Sequence, residues 1–301
     1  MMGIKERNPS DSTCKKLLRD KGCFADLCNY AFFQGRQVIQ PEELVSREND
    51  LSTLIGKVDK PTEIKRYRDV VRKASIHGEY VIIGVEHQST FDEKMIFRIL
   101  NYDATIYINQ VESKQEIYPV GSFVFYTGDK EWKSPETLKE TLKNIPPEME
   151  PYINDWRLPV VELKTMDARK LANQRLKEVV EISQSMFTGN YDELSENRKI
   201  ETENFMMAAT FTRTKIKRED LPEGDEINMC EAMDRLFQKF EDQGIEKGKS
   251  DTLKEQLKVK LGTLSRPLEK QLTNTSLEKL NELTLNIFNV TSEEDVLRII
   301  N

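Results

Sequence analysis

Residues Arg66 to Gln88 read RYRDVVRKASIHGEYVIIGVEHQ, and this pattern predicts a β-hairpin. The first arm, Lys65 to Ile76, is rich in β-branched and long side chains. The turn is His77-Gly78, and a two-residue loop ending in Gly suits the primed turns that close tight hairpins. The second arm, Glu79 to Gln88, carries the apolar run Tyr80-Val81-Ile82-Ile83-Gly84-Val85. With residues 77 and 78 as the loop, paired positions sum to 155, which sets Asp69 opposite Glu86. Like charges opposed in this way repel. Strand side chains alternate, so Gln88 shares the face of Glu86 while His87 points the other way. Two carboxylates and an amide then converge on one face at a strand end. A divalent cation between the carboxylates removes the repulsion, and hard cations such as Mg²⁺ take oxygen ligands. On spacing alone the same residues also fit a solvated strand end, and a slip of one residue in register turns Glu86 to the opposite face.

Further motifs surround the hairpin in a fixed order. Arg68-Asp69 is followed by Ile83-Gly84-Val85-Glu86-His87-Gln88-Ser89, then Met95, Arg98 and Tyr102-Asp103. Upstream stand Phe24-Ala25-Asp26-Leu27-Cys28-Asn29-Tyr30 and Gly35-Arg36-Gln37-Val38-Ile39, and downstream Val124-Phe125-Tyr126-Thr127-Gly128 and Trp132. Together, over roughly residues 12 to 165, they resemble the recombination-promoting nuclease, or putative transposase, family of the PD-(D/E)XK nuclease superfamily. The resemblance implies an α/β fold with a restriction-endonuclease-like α-β-β-β-α-β core, followed here by an α-helical C-terminal region. It implies a metal-dependent DNA endonuclease linked to recombination or mobile elements. Asp69 and Glu86 would be the metal ligands, for Mg²⁺ or alternatively Mn²⁺ or Ca²⁺. Gln88 would take the third catalytic position, where the superfamily usually has Lys, a replacement that this family shares. Arg68 and Arg98 are the candidates for DNA phosphate contacts.

Composition sets outer bounds. The 301 residues carry 32% charged and 38% hydrophobic side chains and a net charge of −7, which suits a soluble, helix-rich protein with a real core. That charge argues against a protein that coats nucleic acid generally, although a local basic patch can still serve a nuclease. No stretch approaches the ~18 apolar residues of a membrane span, and the N-terminus lacks a signal-peptide core. The four cysteines have no zinc-like spacing, so reduced thiols and a cytoplasmic setting are expected. With only His77 and His87 present, one chain cannot supply a site of three histidine ligands.

Along the chain, residues 1–11 read as a polar tail ending in a helix cap. Residues 12–166 form the expected nuclease-like domain, 167–243 a helical extension and 244–301 a C-terminal helical module. Ser12 to Phe33 has helical spacing with a possible break at Gly22. Asp26, within it, fits either an auxiliary acid facing the metal site or a backbone-capping residue. Gly35 to Ile39 is one candidate for the third early strand. Phe91 to Gln110 is the crossover helix, with Arg98 either serving the site or pairing with an acid such as Asp103. Tyr118 to Thr127 reads as a buried strand, and Trp156 to Leu163 as an edge or irregular strand because of Pro159. Ala168 to Phe187 is a strong helix ending near Gly189, Asn190 to Thr214 continues with helical residues, and Ile227 to Gln243 is helical again. Gly244 to Ser250, GIEKGKS, resembles the family's Glu-Gly-Lys spacer. The leucine-spaced Asp251 to Asn301 segment, with a capping-box spacing at Thr291 and Glu294, fits a module that self-associates or docks on the nuclease domain, or an ordinary helical appendage with no separate function. Two competing functions stand beside the endonuclease: an inactive nuclease-fold module that binds DNA or a partner, and a defence or toxin-like nuclease restrained by its own C-terminal helices.

Overall fold

A computed structural model describes residues 8–45, 70–114, 116–191 and 198–301. The chain divides into two compact units, Met1–Arg218 with Gly224–Met229, and Glu219–Glu223 with Cys230–Asn301.

The first unit is built on a four-stranded sheet in the order β1-β2-β3-β4. The hairpin is present as β1 (Val70–Ile76) and β2 (Glu79–Gln88). Its pairs run from Val70 with Val85 to Ile76 with Glu79, each summing to 155. His77 and Gly78 both adopt left-handed backbone, φ 55° and 90°, as a primed turn requires. The remaining strands, β3 (Val120–Tyr126) and β4 (Val160–Glu162), run parallel to β2. β4 is the edge strand anticipated from Pro159.

Helices cover both faces. On one face lie α1 (Pro9–Arg19) and α2 (Lys21–Phe33), and on the other α3 (Met95–Glu112). The first face buries Leu17, Leu18, Phe24, Leu27 and Cys28 against Ile83, Val85, Phe123 and Phe125. α4 (Gln174–Thr188) and α5 (Thr202–Thr212) add Leu176, Val180, Met207 and Phe211 to the same core. The opposite face packs Met95, Ile96 and Ile99 of α3 on Val124 and Tyr126. Even-numbered β2 residues therefore face α3, and odd-numbered ones face α1 and α2. The two-residue period of the strand imposes this sorting.

Several expected boundaries move. The long N-terminal helix breaks at Asp20 rather than Gly22, because the Asp20 carboxylate accepts from Cys23 N at 2.8 Å and caps α2. Pro9 to Asp11 already form the first turn of α1, capped by Asn8. Gly35 to Ile39 is not a strand. Asn29 engages its backbone instead, its Oδ1 accepting from Val38 N (3.1 Å) and Ile39 N (2.9 Å) and its Nδ2 donating to Ile39 O (2.9 Å). The contact that does extend the hairpin is a single bridge from Leu44 to Ala74. The crossover helix begins at Met95, four residues later than Phe91, after a turn in which Asp92 Oδ1 accepts from Lys94 N. Within the segment read as helical from Asn190 to Thr214, β5 (Lys199–Glu201) is a short strand. It pairs antiparallel with β6 (Glu226–Asn228).

The second unit is helical. α6 (Met229–Leu261) continues through Gly244 and Gly248 without a break. Each glycine costs a helix about 1 kcal/mol, and the surrounding Glu, Lys, Gln and Leu residues favour helix. α7 (Arg266–Thr273), α8 (Leu277–Asn286) and α9 (Glu293–Ile300) follow. Leu253, Leu257, Leu268, Leu272, Leu280, Leu283 and Val296 form their shared core. The capping box lies one residue beyond the expected one, at Ser292 and Asp295. Asp295 also accepts from Thr291 N and Oγ1, and these bonds hold its carboxyl below its usual range.

Candidate active site at the carboxyl end of the parallel strands

β2, β3 and β4 end side by side, with Gln88 beside Tyr126 and Tyr126 beside Glu162. Ligands of open α/β sheets gather outside this edge, where the loops that leave the strands converge. Glu86 sits one step inside it, 6% exposed, on the α3 face. Arg98 of α3 donates from Nη2 to Glu86 Oε1 at 2.5 Å, a short charge-assisted contact. Its Nη1 reaches Asp92 Oδ2 at 3.4 Å, so the guanidinium spans two carboxylates. Asp103, the other acid considered for it, accepts from Ser122 Oγ at 2.6 Å instead. Gln88 lies on the same face as Glu86, its Nε2 3.4 Å from Oε1.

His87 points to the opposite face, as the strand period requires. Its Nδ1 is 2.9 Å from Asp11 Oδ1 of α1, and its Nε2 is 2.8 Å from Thr127 Oγ1. The strand end is thus tied to α3 on one side and to α1 on the other. Asp69 and Arg68 lie outside the described residues.

The expectation for Asp26 resolves toward structure. Its buried carboxylate accepts from Gln37 Nε2 (2.8 Å), Ala172 N (2.9 Å) and Asn173 N (2.9 Å). It caps the backbone that leads into α4 and belongs to the opposite side of the sheet from Glu86.

Sequence spacing did not single out Asp92 or Glu162. Glu162 Oε2 accepts from Trp132 N at 3.1 Å and fixes the loop after β3. Its signal was position alone, two residues past Val160 on the same strand face. Trp132 packs edge-on against Tyr126 at 5.0 Å and against Phe91 at 5.3 Å. Burial, followed by the Glu162 charge, pushes the Tyr126 hydroxyl above the ordinary phenol range. Tyr126 in turn leaves no room at Gly128, where a Cβ would meet its hydroxyl oxygen at 2.2 Å.

Glu86 and Gln88 offer oxygen donors, the type that hard divalent cations take. Because Arg98 already binds Oε1, a cation would share this carboxylate with the guanidinium. Among the described residues, no group of three or more His, Cys, Asp or Glu side chains is placed to hold a metal ion. No helix among them is long and apolar enough to cross a membrane.

The chain is an α/β protein whose candidate site is a buried carboxylate held by arginine beside an amide, at the carboxyl end of the parallel strands. Residues 62–213, just over half of the chain, match the family described as "Putative transposase, YhgA-like", and the chain belongs to that family. No curated protein and no solved structure matches it.

Proposed function

We propose that this protein is a metal-dependent DNA endonuclease of the PD-(D/E)XK type, acting on DNA in recombination or mobile-element processes. The observation that carries the reading is the placement of Glu86 and Gln88 side by side on one face at the strand end, with Arg98 gripping Glu86. Family membership supports a DNA substrate. Asp69, next in the chain to Val70, is the second carboxylate of the proposal. With Glu86 it would hold Mg²⁺, or Mn²⁺ or Ca²⁺ in its place. When bound, such an ion polarises the scissile phosphate and lowers the pKa of an attacking water.

Gln88 carries no charge and cannot act as a base. Its role is to orient water or to complete the oxygen shell through its amide. Arg98 holds the Glu86 carboxylate aimed at the strand end through its Nη2 contact, and in the substrate complex its exposed side can face phosphate. Arg68 is proposed as a second phosphate contact. A non-cleaving DNA-binding module is the competing reading. The Arg98–Glu86 pair favours it, because the guanidinium already supplies the positive charge that the carboxylate would otherwise draw from a metal.

Cleavage of supercoiled and linear DNA with Mg²⁺, Mn²⁺ or Ca²⁺ tests this. We expect metal-dependent cutting by the full chain that is lost in Asp69→Ala and Glu86→Gln. Full activity in Glu86→Gln would sink the proposal, whereas DNA binding without cutting would select the second reading. Arg98→Gln, which removes the competitor at Glu86, should lower the metal concentration giving half-maximal cleavage by several-fold.

A further inference from the structure

Phe91 lies three residues beyond Gln88, where the chain leaves the candidate site, and its side chain is 43% exposed. Surface aromatics scattered singly are ordinary, but this ring is the outermost of three that step out from the sheet. Tyr126 of β3 is 1% exposed, Trp132 is 8% exposed, and Phe91 forms the surface. Successive rings meet edge-on, at 69° and 72°. The middle ring is fixed by the bond from Trp132 N to Glu162. The loop that carries Phe91 is anchored as well. Asn8 Nδ2 donates to Ser89 Oγ at 2.9 Å, and Arg213 Nη2 donates to Ser89 O at 3.3 Å. On its other side Asp92 is joined through Arg98 to Glu86. A partly exposed ring on an anchored loop therefore follows the proposed reaction centre by three residues.

The charges around it are balanced. Asp92, Glu93, Asp129 and Glu131 stand against Lys94, Lys130, Lys133 and Lys164 in the segments that flank the rings. Asp129 is already paired with Lys164 at 2.6 Å, and Glu131 lies 3.9 Å from Lys133. Duplex binding draws mainly on phosphate neutralisation by surplus cations, and the described segments that flank the rings carry none. Base faces offer the alternative, because every base has a π-face that an aromatic side chain can cover. In a paired duplex those faces are already covered by neighbouring bases. Unpaired nucleotides leave them open.

We infer that Phe91 is a stacking platform for an unpaired nucleobase, and that the DNA this protein acts on carries unpaired bases next to the scissile phosphate, as single strands, bubbles or flaps do. The inference rests on the endonuclease reading for the reaction and on the ring stack for the substrate form.

The test uses the full chain carrying Glu86→Gln, so that DNA stays intact, with and without Phe91→Ala. Binding is followed by anisotropy of a fluorescein-labelled single strand and of its fully paired duplex. A 2-aminopurine in the single strand reports stacking. The single strand should bind more tightly than the duplex and show quenching. Phe91→Ala should weaken single-strand binding roughly tenfold and abolish the quenching. Phe91→Trp should preserve both, and duplex binding should stay unchanged. Preference for the duplex, equal weakening of both substrates, or no effect of Phe91→Ala overturns the inference. Because binding needs no cleavage, the two proposals fail separately. Quenching that depends on Phe91 in a chain that cuts no DNA removes the endonuclease and keeps the platform. Efficient cutting of paired DNA by Phe91→Ala at the wild-type rate removes the platform and keeps the endonuclease.

Discussion

Replacing Asp26 by Ala should destabilise the first unit without touching the candidate site. The carboxylate is 2% exposed and accepts three hydrogen bonds, from the Gln37 amide and from the backbone of Ala172 and Asn173. Hydrogen bonds to a charged group contribute about 1.5–3 kcal/mol each when buried. Both backbone donors are only partly buried, so water entering the vacated space recovers some of that. About 1 kcal/mol for each bond then remains, or about 3 kcal/mol in all. With a urea m-value of about 3 kcal/mol/M the midpoint should fall by about 1 M. Asp26→Asn keeps one oxygen for the two backbone N–H groups and should lose about a third as much. Urea titration followed by far-UV circular dichroism reads both variants. DNA cleavage at matched folded fraction supplies the functional control. A loss below about 0.5 kcal/mol in Asp26→Ala, or a changed metal requirement in Asp26→Asn at unaltered stability, would refute the structural role and return this residue to the site.

Gly128→Ala introduces a methyl group where the Tyr126 hydroxyl and ring lie 2.2–2.6 Å away. The ring is buried against Trp132 and cannot yield, so overpacking should cost about 3 kcal/mol, visible as a lowered Tm. Glu203 of α5 is held by Lys16 of α1 and Arg175 of α4, and these partners depress its carboxyl below the usual 4.5. A lowered native pKa contributes stability above the unfolded value that is lost as pH falls through the folded one. Glu203→Gln should therefore be less stable than wild type at pH 7. The gap should close as pH drops below 4.5, in denaturant titrations run at several pH values. A gap that persists unchanged into strong acid would rule out the ionic origin.

Local periodicity made the hairpin legible. The His77-Gly78 turn allows a single register, and that register appears in every pair from Val70 to Ile76. Alternation along β2 likewise separated Glu86 and Gln88 from His87. What could not be read were bonds between residues distant in sequence. Asn29 diverts Gly35 to Ile39 from strand geometry by satisfying its backbone, a choice made by one side chain on a neighbouring helix. Arg98 had Asp92, Asp103 and Glu86 within reach of its long side chain, and only the folded chain shows that it takes Glu86 and Asp92 while Asp103 accepts from Ser122. Asp26 could be judged only once the segment before α4 was seen to run past it, nearly 150 positions later. Glu162 gave no signal beyond its place on the strand, because its partner is a backbone N–H, which carries no residue identity.

The two histidines of this chain stand at opposite ends of β2, and they make the strand its own spectroscopic gauge. His77 is exposed at the turn, where solvent can reach its ring. His87 is 2% exposed, with both ring nitrogens bonded, to Asp11 and to Thr127. An imidazole nitrogen spectrum should thus contain one fast-exchanging and one protected set of resonances, assignable by a single His77→Asn variant. Because His87 is the next residue to Glu86 and is anchored from behind, its resonances register occupancy at the strand end through the shared backbone. Those of His77, ten residues away, serve as the internal reference. Metal or DNA titrations can then be followed in the ¹⁵N-enriched wild-type side chains, with no bulky reporter attached to the candidate face.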